Sequence, residues 1–408
     1  MKGSTLGHIR VLDLTRVLAG PWCTQLFADL GAEVIKVERP GRGDDTRSWG
    51  PPYPKDEQGQ TIQDASYFFA TNRGKQSLTI NIATTEGADI IRSLVKSADV
   101  LIENFKVGDM KRYGLDYDTL SEINPGLVYC SITGFGQTGP YKNRAGYDFI
   151  IQGMGGLMSV TGPHEEEAGS APQKVGVPIS DMMTGMYASS AILAALAYRD
   201  RTGEGQYIDM ALLDVQVGFL ANQGMNYLTT GVSPRRMGNA HPNIVPYQTF
   251  ATRDGAINLG VGNDRQFANF CRATGLEKLL DDERFISHSS RIIHRQDLVP
   301  IVAKALAEKD SEFWVTALEN VGVPCGPVND LEAVFKDVQV QARNLKVQLP
   351  HPAAGNVDLI ANPIKFSKTP VSYRSAPPLL GQHTHEILAE KLGMSAKEIE
   401  DLQSKHII

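Results

Sequence analysis

The opening of the chain restricts the fold more than any other stretch. Ile9 to Leu14 is a short apolar run, Ala19 to Leu30 carries apolar residues at helical spacing, and Glu33 to Val37 is a second β-like run. Strand, helix and strand in that order predict a βαβ unit, so the chain is expected to build an α/β sheet of the doubly wound, Rossmann-like type. The first turn, LTRVLAGPWC, has no G-x-G-x-x-G. Without those glycines a dinucleotide fingerprint is missing, and the expected cofactor is not NAD.

The alternation continues down the chain. Asn72 and Gly74 supply turn chemistry, followed by a strand at Ser77 to Ile82, a helix from about Thr84 to Lys96 and a buried strand at Val100 to Glu103. GLVYCSITGFGQTGPYKNRAGYDFIIQGMGG reads as a strand and a glycine-rich loop. A strand at Gln206 to Leu212 and a helical stretch from Val215 to Leu228 lead out to Ser233-Pro234-Arg235-Arg236. The texture then changes. Asp254-Gly255 between alternating runs signals a hairpin, Arg265 to Asn320 carries amphipathic helical periods, and GVPCGPVNDLEAVFKD leads back. At 408 residues the chain is too long for one core. Two domains are expected: a large one from both chain ends, 1–225 and 330–408, and a smaller inserted α+β domain at 226–329 with its linkers.

Composition excludes several classes of function. A net charge of −6 with no long basic run argues against nucleic acid as a partner. Cys23, Cys130, Cys271 and Cys325 are isolated and lack metal or redox spacing, which suits reduced thiols in the cytoplasm. His383 and His385 stand two apart with no cluster suited to a metal. The start lacks the apolar core of a signal peptide, and no run approaches the length of a membrane span.

The chemistry concentrates between Lys174 and Val215. A helix is expected from about Asp181 to Arg199, with Met182, Met186, Ile192, Leu193 and Leu196 on an apolar face and Ala, Gly and Ser on a close-packing side. It should stop at Gly203, behind Arg199 and Arg201. Asp181 at the helix start has two readings. It is an N-cap accepting the first free amides, the commoner role, or a nucleophilic carboxylate kept ionised by the helix start. The local sequence leaves both open.

VGVPISDMMTGMYASSAILAAL, followed by RTGEGQYIDMALLD, resembles the signature of the class III coenzyme A transferases, the family of formyl-CoA transferase, and the resemblance runs over nearly the whole chain. It implies a transferase that moves coenzyme A from an acyl-CoA to a carboxylic acid, with Asp181 forming acyl-anhydride and thioester intermediates. It also implies an interlocked homodimer and no permanently bound cofactor. Coenzyme A contacts are implied for the backbone around Val17, Leu18 and Ala19, for Arg39, Ile80, Asn104, Phe105 and Arg112, and for Tyr147. Arginine binds phosphate oxygens bidentately, and Asn104 and Phe105 follow a strand's carboxyl end, where open α/β sheets hold ligands. Arg47 either pairs with a substrate carboxylate or steadies Asp44 or Asp45. Small dicarboxylic acids are the expected test substrates.

Departures from the family pattern narrow this reading. Ala83 stands where relatives often bring a cofactor-binding lysine, and HPNIVPY replaces the run of glycines in formyl-CoA transferase. His241 in that segment reads as a loop histidine. Amides near Gly134 to Gly139 or in the GVGN loop at 260–263 are expected to stabilise oxyanions. The related α-methylacyl-CoA racemases, a rival reading, carry a histidine where this chain has Tyr147. A phenol is a poor base near neutrality, which favours transfer over racemisation. A binding protein without turnover is the third reading, and it would tolerate Asp181→Asn.

Overall fold

The computed structural model describes residues 3–408. They form two compact units, one built from the chain up to Leu157 with Lys174–Thr230 and Gln341–Ile408, the other from Met158–Gln173 and Gly231–Val340. The first unit contains β1 (Arg10–Asp13), α1 (Ala19–Asp29), β2 (Glu33–Glu38), β3 (Gln76–Thr79), α2 (Thr85–Val95), β4 (Val100–Glu103), β5 (Val128–Thr133), α3 (Asp148–Met154), α4 (Ile179–Thr202) and β6 (Gln206–Ala211). The sheet order is β3-β2-β1-β4-β5-β6, with every pairing parallel. Chain direction across the sheet reverses between β1 and β4. At such a switch point the loops leaving the strands diverge and open a crevice at their carboxyl ends.

Period-two alternation sorts the strand residues onto two faces. Leu12, Ile35, Leu78 and Leu101 pack with Ile90, Ile91 and Leu94 of α2 and with Ile387, Leu388, Ile399 and Leu402 from helices Thr384–Leu392 and Ala396–Ser404. Val11, Val34, Val100 and Cys130 pack with Cys23 and Phe27 of α1 and Ile192 and Leu196 of α4. Each large aliphatic side chain buried in this way stabilises the fold by about 1.5–3 kcal/mol. Among the described residues no helix is long and apolar enough to cross a membrane. All four cysteines are free thiols.

α4 ends as expected, with Gly203 at φ +79° donating its N–H to the Arg199 carbonyl. Its packing differs from the sequence expectation. Ser180, Thr184, Gly185, Ala188, Ser189, Ile192 and Leu196 are buried, whereas Met186 and Leu193 are exposed. The cause is close approach to α1: a Cβ on Gly185 would lie 2.6 Å from the Ala19 carbonyl oxygen. Only a small residue can meet α1 at that distance, so Met186 and Leu193 turn outward while Ile192 and Leu196 stay in the core as expected. The helical stretch expected from Val215 to Leu228 is two helices, Leu212–Gly218 and Ala221–Thr230, and Ala221 stands at φ +48° where the second begins.

The carboxyl edge of the sheet is held by buried ions. Lys36 donates to the Thr15 carbonyl and pairs with Asp44 at 2.9 Å, and Lys75 contacts Asp13, Asn72 and the Pro21 carbonyl. Burial alone would raise Asp13, but Lys75 and Lys36 hold it at about 2. Arg47 forms a fork on Glu38, reaches Asp64 and the Pro378 carbonyl, and stacks on the Phe68 ring. Its donors are taken and it is 4% exposed, so neither expected role holds: it faces no acyl pocket and pairs with neither Asp44 nor Asp45.

The second unit has its own core. Tyr247–Ala251, Ala256–Gly260 and Cys325–Pro327 form an antiparallel sheet, and the hairpin at Asp254-Gly255 is present, with Thr252 donating to the Gly255 carbonyl. Phe250, Ile257, Phe267, Phe270 and Trp314 fill the space between this sheet and its helices.

Arg47→Ala leaves Glu38 and Asp64 buried without their cation and is expected to destabilise the protein by about 3–5 kcal/mol. Arg39→Ala, at an exposed position, should change stability by less than about 0.5 kcal/mol. Denaturant unfolding of the two variants checks the contrast.

Candidate active site

Asp181 is the third residue of α4, not its N-cap; the cap position is Pro178, which has no side chain to serve it. The capping is done from another element. Asp148, at the start of α3, accepts the Ser180 N–H at 2.7 Å and the Asp181 N–H at 3.3 Å through Oδ1. Its Oδ2 accepts Gln152 Nε2 at 2.6 Å, and Gln152 in turn accepts the Val175 N–H. Ser180 Oγ donates to Gln216 Oε1. The helix start is thus fixed without using the Asp181 carboxylate.

That carboxylate faces a cavity of about 450 Å³. Burial, and then the negative charge of Asp148, push Asp181 up to about 7. The helix N-terminus favours the anion, while desolvation and Asp148 work against it. Tyr67 lies in the same electrostatic neighbourhood. Burial, followed by Asp181, Asp148 and Asp44, raises its phenol, and its ring meets Trp49 edge-on at 5.4 Å. The sequence reading passed over Tyr67, Trp49 and Asp148. Asp148 carried one local signal, an acidic residue opening a helix after a glycine-rich loop.

Val17, Leu18, Ala19, Asn104, Phe105 and Tyr147 line the same cavity as Asp181. Val17 has φ +72°, a left-handed conformation that a β-branched residue rarely adopts. Its N–H is accepted by the Asp44 carboxylate at 3.2 and 3.3 Å, and Lys36 fixes Asp44 from behind. Asn104 brackets the Arg16 backbone, accepting its N–H and donating to its carbonyl. The amide of Phe105 is held by Glu103, whose carboxyl burial raises to about 7.

An adjoining cavity of about 400 Å³ is lined by Arg39, Arg42, Ile80 and Ala83, and it shares Arg16, Asp45, Phe105 and Asp109 with the first. The structure therefore brings together every candidate except one. Arg112 lines neither cavity; it pairs with Asp109 and donates to the Tyr113 hydroxyl. Ala83 presents a methyl group where the family pattern brings a lysine.

The expected oxyanion donors fare differently. In the GVGN loop the amides of Gly260, Val261 and Gly262 donate to Pro324, Pro246 and Gln266, so all three are occupied. Gly136 N–H goes to Thr133 Oγ1 and Gln137 N–H to Asp209. Gly134 lines the Asp181 cavity, and a Cβ there would lie 2.6 Å from the Gly146 Cα, so the loop from 134 to 146 closes on itself backbone to backbone. His241 accepts the Asn243 N–H through Nδ1 and contacts the Tyr247 ring, as a loop histidine does.

An aspartate has an ordinary carboxyl in the unfolded chain, titrating near pH 4. The folded protein prefers Asp181 protonated, so this group's contribution to stability is complete below that pH and is lost as pH rises through about 7. Asp181→Asn does not titrate. Urea unfolding should therefore show the variant gaining on the wild-type protein between pH 4 and pH 8; a constant difference would contradict the perturbed carboxyl.

The geometry agrees with what the chain is similar to. The model of the family described as CoA-transferase family III matches residues 6–384. A succinate–glutarate CoA-transferase of Agrobacterium fabrum is 50% identical over 385 residues, covering 94% of this chain and 95% of that protein. A succinyl-CoA:glutarate CoA-transferase of Mus musculus is 43% identical over 403 residues, 99% of this chain and 90% of its own. The crystal structure of a CaiB/BaiF family protein from Brucella suis is 47% identical and superposes with a TM-score of 0.83 over 96% of this chain and 100% of that one. With a family match of that extent and relatives this similar from end to end, the chain belongs to CoA-transferase family III and is a CoA-transferase.

Proposed function

We propose that this enzyme transfers coenzyme A between small dicarboxylic acids through covalent intermediates on Asp181. The observation that carries the reading is a carboxyl freed from capping by Asp148 and facing a cavity lined by the expected coenzyme A contacts. The dicarboxylic preference rests on the relatives, whose names specify succinate and glutarate.

The Asp181 carboxylate attacks the thioester carbonyl of the acyl-CoA, breaking the C–S bond to give a mixed anhydride and the CoA thiolate. The thiolate then attacks the aspartyl carbonyl, forming an aspartyl-CoA thioester and releasing the first acid as its carboxylate. The incoming carboxylate repeats these two steps in reverse order, and Asp181 leaves as the free anion. A carboxyl raised to about 7 is more basic than an ordinary aspartate, so its anion is the stronger nucleophile. The same partial burial limits water, which would hydrolyse the anhydride.

Within this reading the two adjoining cavities divide the cofactor. Arg39 and Arg42 serve phosphates, Ile80 and Phe105 flank the base, and the backbone of Val17 to Ala19 with Asn104 and Tyr147 guides the thiol arm towards Asp181. We also place the enzyme in the cytoplasm as a homodimer. Four free thiols support the compartment. The exposed Met186, Tyr187 and Leu193 of α4, beside an apolar cavity of about 590 Å³ bounded by Trp22, Leu26 and Ile364, support a second copy. Light scattering should give twice the 44.5 kDa chain mass; a monomer at micromolar concentration would overturn the dimer.

Incubation with succinyl-CoA followed by hydroxylamine or borohydride trapping tests the mechanism. Peptide mass spectrometry is expected to find the modified residue at Asp181, and Asp181→Ala should lose both the adduct and turnover. Full turnover without a carboxylate at that position would exclude the covalent route.

A further inference from the structure

We propose that Arg144 binds the distal carboxylate of the dicarboxylic acyl group and so sets the preference for diacids over monoacids. The inference deepens the transferase reading above and rests on it. A dicarboxylic substrate needs a cation that lies in the cavity of the nucleophile, is not already neutralised, and is held in place. Arg47 fails because its donors are enclosed by Glu38, Asp64 and Pro378. Arg16 is paired with Asp45. Arg39 lines the other cavity.

Arg144 meets all three conditions. It lines the cavity of Asp181, and no carboxylate among the described residues pairs with it. Apart from Asp181, the other acids of that cavity are committed, Asp45 to Arg16 and Asp109 to Arg112, so the exposed guanidinium of Arg144 has no carboxylate partner among them. Two rings hold it: its guanidinium lies 4.6 Å from the Tyr141 centroid and 5.4 Å from that of Phe135, and those rings meet edge-on at 5.7 Å. The backbone crossing of Gly134 and Gly146 fixes the neck of this loop two residues beyond Arg144.

A guanidinium stacked on aromatic faces keeps its edge free, and that planar edge matches a carboxylate with two parallel N–H donors. Lys106 and Lys142 also line the cavity, but each offers a mobile point charge with no ring to orient it. Arg144 and Asp181 line one cavity, so a single acyl group can present its thioester to the carboxyl and its far end to the guanidinium.

Competition between two acceptors isolates this role, because the donor half-reaction cancels. The full-length enzyme is given succinyl-CoA with equimolar glutarate and valerate, acids of equal chain length that differ in the distal carboxylate. The ratio of glutaryl-CoA to valeryl-CoA is read by mass spectrometry. Arg144→Gln is expected to lower that ratio by about ten- to a hundredfold, the value of a charged hydrogen-bond pair. Arg144→Lys should restore part of it, Tyr141→Leu should lower it less, and the dissociation constant for free CoA should stay within about twofold of wild type. An unchanged ratio in Arg144→Gln overturns the proposal while leaving the transferase reading intact. A loss of CoA affinity at constant ratio also overturns it, by making the guanidinium a phosphate contact. If the wild-type enzyme forms neither thioester nor any other diacid thioester, the dicarboxylic reading itself fails, and this inference with it.

Discussion

Lys36 and Asp44 form an ion pair with no access to solvent on either side chain, and the arrangement of the site depends on it. Removing two charges from water costs several kcal/mol each, and a close partner with further hydrogen bonds offsets this only when the geometry is good. Here both conditions are met. Lys36 also donates to the Thr15 carbonyl, and Asp44 also accepts from Val17 and Thr46. The pair thereby holds the turn after β1 at both ends of its strained segment, including a valine in a left-handed conformation that costs of order 1–3 kcal/mol. Asp13 with Lys75 performs the same service one layer deeper. The carboxyl edge of a parallel sheet is where loops must diverge, and here buried ions set the directions in which they do so.

Around that edge the two carboxylates at the start of α4 have taken separate roles. Asp148 accepts hydrogen bonds from two backbone amides and Gln152. Asp181 has no such donors, loses water, and sits beside that fixed charge, so its proton is harder to remove. Different surroundings for two neighbouring acids are a means of assigning different tasks to the same functional group. One carboxylate anchors the helix; the other remains available for covalent chemistry.

Several readings from the sequence survive because their causes are local. The βαβ opening, the αL stop at Gly203, the hairpin at Asp254-Gly255 and the strand Val100–Glu103 each follow from spacing or turn residues within a few positions. The placement of Val17 to Ala19, Asn104 and Phe105 around Asp181 came from family resemblance together with the rule that open sheets hold ligands at strand ends. The errors share a different cause. Arg47 drew its interpretation from Asp44 and Asp45 beside it, while its actual partners include Glu38 and a carbonyl 331 residues away. Of the apolar face assigned to α4, Ile192 and Leu196 are buried, yet close contact with α1 at Gly185 leaves Met186 and Leu193 exposed.

The sequence alone determined that this chain would wind an α/β sheet, where the main helix would end, and which known family its motifs resemble. Periodicity, turn propensity and motif are short-range properties, and they are readable without coordinates. Tertiary structure alone decided that Asp148 would cap that helix from 33 residues away, that the Asp181 carboxyl would be raised, and that Arg47 would be enclosed by Glu38 and Asp64 while Arg144 lines the cavity of Asp181. Pairing and desolvation depend on which groups meet when distant segments pack. No local pattern encodes that, because the same aspartate or arginine is solvated, paired or reactive according to the neighbours the fold brings to it.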